Sequence, residues 1–119
     1  VRYPVSITEN EVTTQLTKAL FPESEVTVIR RLPSTLFPKD ERNVQKLTKV
    51  YEQITGLDGT PVTTTGATYA RFMPNIVAFG PSFPGQKGIA HNQDEYMDEK
   101  DLLLNLEIYM QAMIALTEA

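Results

Sequence analysis

Asn75-Ile76-Val77-Ala78-Phe79-Gly80-Pro81 is an almost unbroken apolar run that stops at a Gly-Pro pair. A strand covered on both faces reads this way, closed by a turn. On that reading the chain is mixed α/β. Upstream, Thr64-Thr65-Gly66-Ala67-Thr68-Tyr69-Ala70-Arg71 places a small-residue turn just before a single arginine. Downstream, the Gly-Pro-rich loop over residues 80–88 leads to His91-Asn92-Gln93-Asp94-Glu95, which holds the only histidine. Open α/β sheets place ligands where loops leave the carboxyl ends of strands. An arginine and a histidine flanking one core strand therefore outline one side of a candidate site.

Helical segments surround this strand. Thr8-Glu9-Asn10-Glu11 is a capping box, and Ile7 and Val12 are spaced for a hydrophobic staple across it. Val12, Leu16, Ala19 and Leu20 give one apolar face before Phe21-Pro22 ends the helix. Residues 25–32 alternate, with Val26 and Val28 between polar positions, and predict a half-exposed strand; residues 1–5 predict the end of another. Residues 1–35 thus predict a strand–helix–strand α+β unit. Two prolines bracket Pro33-Ser34-Thr35-Leu36-Phe37-Pro38, the best boundary in the chain. Beyond it, Asp40 is placed to cap a helix over 41–55 whose inner face is Val44, Leu47, Tyr51 and Ile54. Gly56 stands where a left-handed cap ends such a helix. The last helix, over 99–117, takes Asp98 as cap, Asp101 at its third position and Met97 as a staple to Leu102. Its predicted buried stripe is Leu102, Leu106, Tyr109, Met113 and Leu116.

Composition narrows the function. The 119 residues carry 41% hydrophobic and 22% charged side chains, enough for one ordinary core. A net charge of −4 argues against a nucleic-acid module, and Lys39, Arg42, Lys46 and Lys49 read as a solvated helical face. No apolar run is as long as a membrane span, and no signal-peptide pattern is visible. The absence of cysteine excludes disulfides and thiolate metal sites and fits a reducing compartment. The opening Val1-Arg2-Tyr3-Pro4-Val5 already reads as extended chain, as expected of a piece of a longer protein.

Each chemically interesting residue has a plain reading beside the functional one. A lone histidine is ordinarily a packed structural residue. His91, however, follows a loop at a strand's carboxyl end, where it can be a metal ligand whose partners come from elsewhere. Arg71 reads as a surface ion-pair residue or, behind the small residues Gly66, Ala67 and Thr68, as a planar fork for a substrate carboxylate. Asp94 and Glu95 can ligate a metal through oxygen, or simply complement the dipole of the following helix. Asn75 is accounted for as a turn residue after Pro74. Ser82 has no base near it in sequence, so a serine-hydrolase triad is dismissed.

Gly66-Ala67-Thr68-Tyr69-Ala70-Arg71, Ala78-Phe79-Gly80-Pro81, Phe83-Pro84-Gly85 and His91-Asn92-Gln93-Asp94-Glu95-Tyr96 together resemble the C-terminal part of the PepV-type Xaa-His dipeptidases. These belong to the di-zinc aminoacylase and carboxypeptidase group of metallopeptidases. The likeness extends to Arg2-Tyr3-Pro4 and to Glu107-Ile108-Tyr109, so it covers essentially the whole chain. One departure is visible: a single Gly66 stands where the family usually has consecutive glycines.

The resemblance implies a zinc-exopeptidase-like catalytic domain over residues 36–119, preceded over 1–35 by the last strand–helix–strand of a ferredoxin-like lid. It implies a cytoplasmic enzyme that uses two zinc ions to hydrolyse dipeptides with a free amino terminus. Here His91 matches a zinc ligand and Arg71 the substrate-carboxylate residue. Gly66 and Thr68 would line the substrate, and Glu95 would fix the loop behind the ligand. The catalytic glutamate and the remaining ligands would lie in a missing N-terminal part of the enzyme, leaving the isolated piece inactive and prone to self-association. A deacylase or carboxypeptidase acting on N-acyl amino acids, and a non-catalytic binding or assembly protein with the same fold, are the other readings.

Overall fold

Backbone hydrogen bonds that close within a few residues decide where the helices lie. The computed structural model describes residues 1–118 apart from 33, 65, 81 and 87–89. Pro33 of the predicted boundary, Thr65 of the small-residue turn, Pro81 at the predicted strand end and Lys87 and Gly88 of the following loop lie outside the described residues. Three α-helices form, α1 (Glu9–Ala19), α2 (Arg42–Thr55) and α3 (Glu99–Thr117), together with a 3-10 helix over Tyr69–Phe72. The chain divides into two compact units, Val1–Leu36 with Thr64–Ile76, and Phe37–Thr63 with Val77–Ala119.

In the first unit, α1 starts at the capping box read from sequence. The Thr8 N–H donates to Glu11 Oε2 at 2.7 Å, and the Glu11 N–H donates to Thr8 Oγ1 at 3.2 Å. These bonds hold the Glu11 carboxyl below the usual glutamate range, the Thr8 backbone contribution being the larger. No residue of α1 is buried, so its stability is mostly local. Arg31 Nε reaches Glu9 Oε1 at 2.9 Å and ties the 30–32 segment to the helix.

The second unit is built on α2 against α3. Leu47 and Val50 of α2 meet Ile108 and Ala112 of α3, with Tyr51, Ile54, Leu104 and Ala115 packed around them. α2 is capped one residue later than expected. The Glu41 N–H donates to Pro38 O at 3.1 Å, which makes Asp40 a turn residue. Glu41 Oε2 then accepts the Asn43 and Val44 N–H groups at 2.9 and 3.0 Å. Gly56, with φ 67°, ends the helix in the left-handed conformation.

α3 has the predicted bounds but a different buried face. Asn105, Ile108 and Ala112 are buried, whereas Leu102, Leu106, Met113 and Leu116 are 58, 56, 62 and 43% exposed. The helix is apolar nearly all round, so hydrophobic periodicity does not select a face. Two contacts supply the choice. Small Ala112 and Ala115 let α2 approach, and Lys46 Nζ donates to the Ala115 carbonyl at 2.8 Å and to the Glu118 carbonyl at 2.5 Å. Lys46 is therefore not simply part of a solvated face. It brings a positive charge to the carboxyl end of α3, whose own last turn has no basic residue. Asp98 occupies the cap position of α3 without a side-chain hydrogen bond, and Asp101 instead accepts from Gln86 Nε2 at 2.6 Å.

The predicted strands over 1–5, 26–32 and 76–80 do not form among the described residues. Alternation and apolarity specify which side of an extended segment is covered, but a strand exists only when another backbone completes its ladder. No described segment supplies that ladder. Residues 4–7 form a turn, with the Ile7 N–H donating to Pro4 O at 3.1 Å, and Phe79 packs on the α2–α3 core instead.

Ile108→Ala is expected to remove about 2–4 kcal/mol from the second unit, while Met113→Ala changes it by less than ~0.5 kcal/mol. Denaturant unfolding of the two variants tests this; equal losses would mean that the outer face of α3 is also packed. For α1, the depressed Glu11 carboxyl stabilises the helix at pH values above its unfolded pKa. That contribution fades as the pH falls through the carboxylate range and is lost below the native pKa. Backbone amide shifts of residues 8–12 followed on acidification should show fraying that is absent in Glu11→Gln, whose side chain does not titrate.

Candidate functional site

The residues singled out for chemistry fall in both units. In the first, the Thr64 hydroxyl accepts the Gly66 N–H at 3.1 Å and the Thr68 hydroxyl accepts the Ala70 N–H at 3.2 Å. Both are local turns of the kind threonine favours. They lead into the 3-10 helix, whose last turn presents Arg71. Arg71 is half-buried and lines a shallow depression of about 340 Å³ with Ala67, Thr68, Tyr69 and Phe72. Arg30 and Leu32 complete the lining. Gly66 adjoins this lining in sequence and is exposed.

In the second unit, the segment before His91 is pinned to α2 and α3. The Tyr109 hydroxyl donates to Phe79 O at 3.3 Å, and the two rings meet edge to face with centroids 6.1 Å apart. Gly80 follows with φ 73°, and a Cβ there would collide with the Tyr109 hydroxyl. Phe83-Pro84-Gly85-Gln86 is a tight turn closed by the Gln86 N–H to Phe83 O at 3.2 Å, with Gly85 at φ 90°. Proline followed by a positive-φ glycine is what a type II turn requires. The Phe83 ring stacks on Tyr51 at 6.4 Å, and the Phe83 N–H donates to Gln86 Oε1 at 2.9 Å.

His91 itself is exposed, in the left-handed region at φ 62°, and Asp94 is there too at φ 59°. For residues with a Cβ this conformation costs about 1–2 kcal/mol. Part of the turn is held by the His91 N–H donating to Glu95 Oε2 at 3.1 Å. Asn75 is a third left-handed residue, at φ 57°, a conformation asparagine tolerates well. Ser82 is exposed.

The chemistry open to these groups is limited and specific. His91 offers one imidazole donor on an exposed turn, with the Glu95 carboxylate already engaged by backbone. Among the described residues, no three histidine, aspartate or glutamate side chains come together to hold a metal ion. A zinc site with its usual three protein ligands is thus not formed by these described residues alone. Arg71 and Arg30 both line the depression, and among the described residues its lining holds no acidic side chain.

The sequence profile of peptidase family M20/M25/M40 matches residues 4–115. The protein named Putative dipeptidase YtjP from Bacillus subtilis (strain 168) is 42% identical over 79 residues, 66% of this chain and 17% of that protein. Beta-Ala-Xaa dipeptidase from Lactobacillus delbrueckii subsp. lactis is 38% identical over 81 residues, 68% of this chain and 17% of its own length. The chain therefore spans about a sixth of the length of these curated relatives. No solved structure matches significantly. Among the described residues, no helix is long and apolar enough to cross a membrane. The chain belongs to peptidase family M20/M25/M40.

Gly80→Ala is expected to lower stability by about 1–3 kcal/mol, through its positive φ and its collision with Tyr109. Tyr109→Phe, which removes only the hydroxyl, should cost about 1 kcal/mol. Thermal unfolding of both variants checks the order; a harmless Gly80→Ala would show that the 79–86 segment is not held against α3.

Proposed function

We propose that this chain is the part of a zinc-dependent dipeptidase that supplies the substrate-carboxylate residue and one metal ligand. The observation that carries the reading is Arg71 lining a depression with Thr68, in a chain of the M20/M25/M40 peptidase family. The dipeptidase names of the relatives support a peptide rather than an N-acyl amino acid as substrate. In this reading residues 1–35 are the end of a lid domain, and residues 36–119 belong to the catalytic domain. The remainder of the enzyme brings the catalytic glutamate and the other ligands.

The roles follow from side-chain chemistry. The Arg71 guanidinium forks onto the carboxylate of the dipeptide and fixes the distance from that end to the scissile bond. Small Gly66 and the short Thr68 side chain let the peptide approach the backbone. His91 donates an imidazole nitrogen to a metal, and the Glu95 carboxylate steadies the turn that aims it. Two zinc ions, when bound, supply the Lewis acidity that peptide hydrolysis needs. The exposed, left-handed turn at His91 fits a ligand held in place by its neighbours rather than by a core.

In the dipeptidase that contains this sequence, His91→Ala should lose bound zinc and most turnover. Arg71→Ala should keep its zinc and lose about 10–100-fold in kcat/KM, chiefly through a raised KM. Metal analysis alongside steady-state kinetics separates the two. An Arg71 variant that loses zinc but binds substrate normally would overturn the carboxylate role. The isolated chain should bind Zn²⁺ only weakly; stoichiometric binding tighter than about 1 μM by calorimetry would show that a complete site exists here.

A further inference from the structure

α3 has two apolar faces, and its packing on α2 uses only one. Leu104, Ile108, Ala112 and Ala115 recur at helical spacing on the side that meets α2. Leu103, Leu106, Met110 and Met113 follow one another at steps of 3, 4 and 3 on the opposite side, with Leu102 and Ile114 flanking them. All six are 50–65% exposed. Steps that alternate between 3 and 4 form the seam of a two-stranded coiled coil, whose side chains fit holes on a second helix. A helix apolar on every side is one that is covered on every side.

We propose that this strip is a homodimer interface, on which a second copy of the chain lays its own α3 antiparallel. The strip is self-complementary. A two-fold axis beside Ile108 sets Leu103 against the partner's Met113 and Leu106 against the partner's Met110, so each apolar side chain meets an apolar one. The next seam positions outward, Glu99 and Thr117, decide the direction. Antiparallel packing brings each glutamate to a threonine and opposes the two helix dipoles, whereas parallel packing presses Glu99 on Glu99. The area is sufficient: six such side chains offer roughly 500 Å² a copy, or about 1,000 Å² for the pair, the threshold of a specific interface. This face and its occupant are independent of the readings of Arg71 and His91.

Sedimentation equilibrium of the 119-residue chain is the test. A dimer with a Kd of about 10 μM is expected. Leu106→Lys places a charge in the middle of the seam and should weaken the dimer at least about tenfold. Val62→Lys adds the same charge at a residue that is 90% exposed and outside α3, and should leave the dimer unchanged. Circular dichroism at about 1 μM, where a dimer of that affinity is mostly dissociated, checks that both variants keep their helices. The chain has no cysteine, so introduced ones report the register. Leu103→Cys mixed with Met113→Cys should form a disulfide between copies. Neither variant alone should do so, because each position then lies about 15 Å along the axis from its own counterpart. A chain that stays single at all concentrations overturns the proposal and leaves the face to another segment of a longer polypeptide. A dimer that survives Leu106→Lys, or one in which Leu103→Cys links to itself as readily as to Met113→Cys, overturns it as well.

Discussion

The contact of α2 with α3 is the constraint on which the larger unit depends. Its buried side chains are few: Leu47 and Val50 on one helix, Ile108 and Ala112 on the other. Burying each larger side chain contributes about 1.5–3 kcal/mol, so no single member can be dispensed with cheaply. Lys46 adds direction to this non-directional burial. Its ammonium group donates to two carbonyls at the carboxyl end of α3, where unpaired carbonyls and the helix dipole both favour a cation.

The 79–86 segment hangs from that helix pair. Phe79, Phe83 and Gln86 bind the segment before His91 to Tyr109, Tyr51 and Asp101. The anchored turn ends only a few residues before the histidine, and then the backbone enters two left-handed residues, His91 and Asp94. The turn that carries Arg71 is built differently. Arg71 rides on a short 3-10 helix started by a threonine, and its neighbour in the depression arrives from the distant segment that carries Arg30.

The helix ends were legible because they are written in residues three or four positions apart. The Thr8–Glu11 box, Gly56 as the left-handed cap and the bounds of α3 all rest on hydrogen bonds that close within one turn. Where two local solutions competed, the reading slipped by a single residue: Asp40 went into the turn and Glu41 became the cap. The family was legible for a related reason, since short motifs in a fixed order identify ancestry without any coordinates.

The sequence by itself thus determined the positions of the helices and the chain's kinship with the M20/M25/M40 peptidases. Tertiary structure alone decided which face of α3 is buried, that Lys46 closes that helix, and that Arg30 shares a depression with Arg71. It also decided that the apolar run at 76–80 packs Phe79 on the α2–α3 core rather than pairing in a sheet among the described residues. Helix caps are settled by neighbours along the chain. Faces, ladders and binding depressions are settled by groups brought together across it, and a strand pattern or an all-round apolar helix does not name its partner.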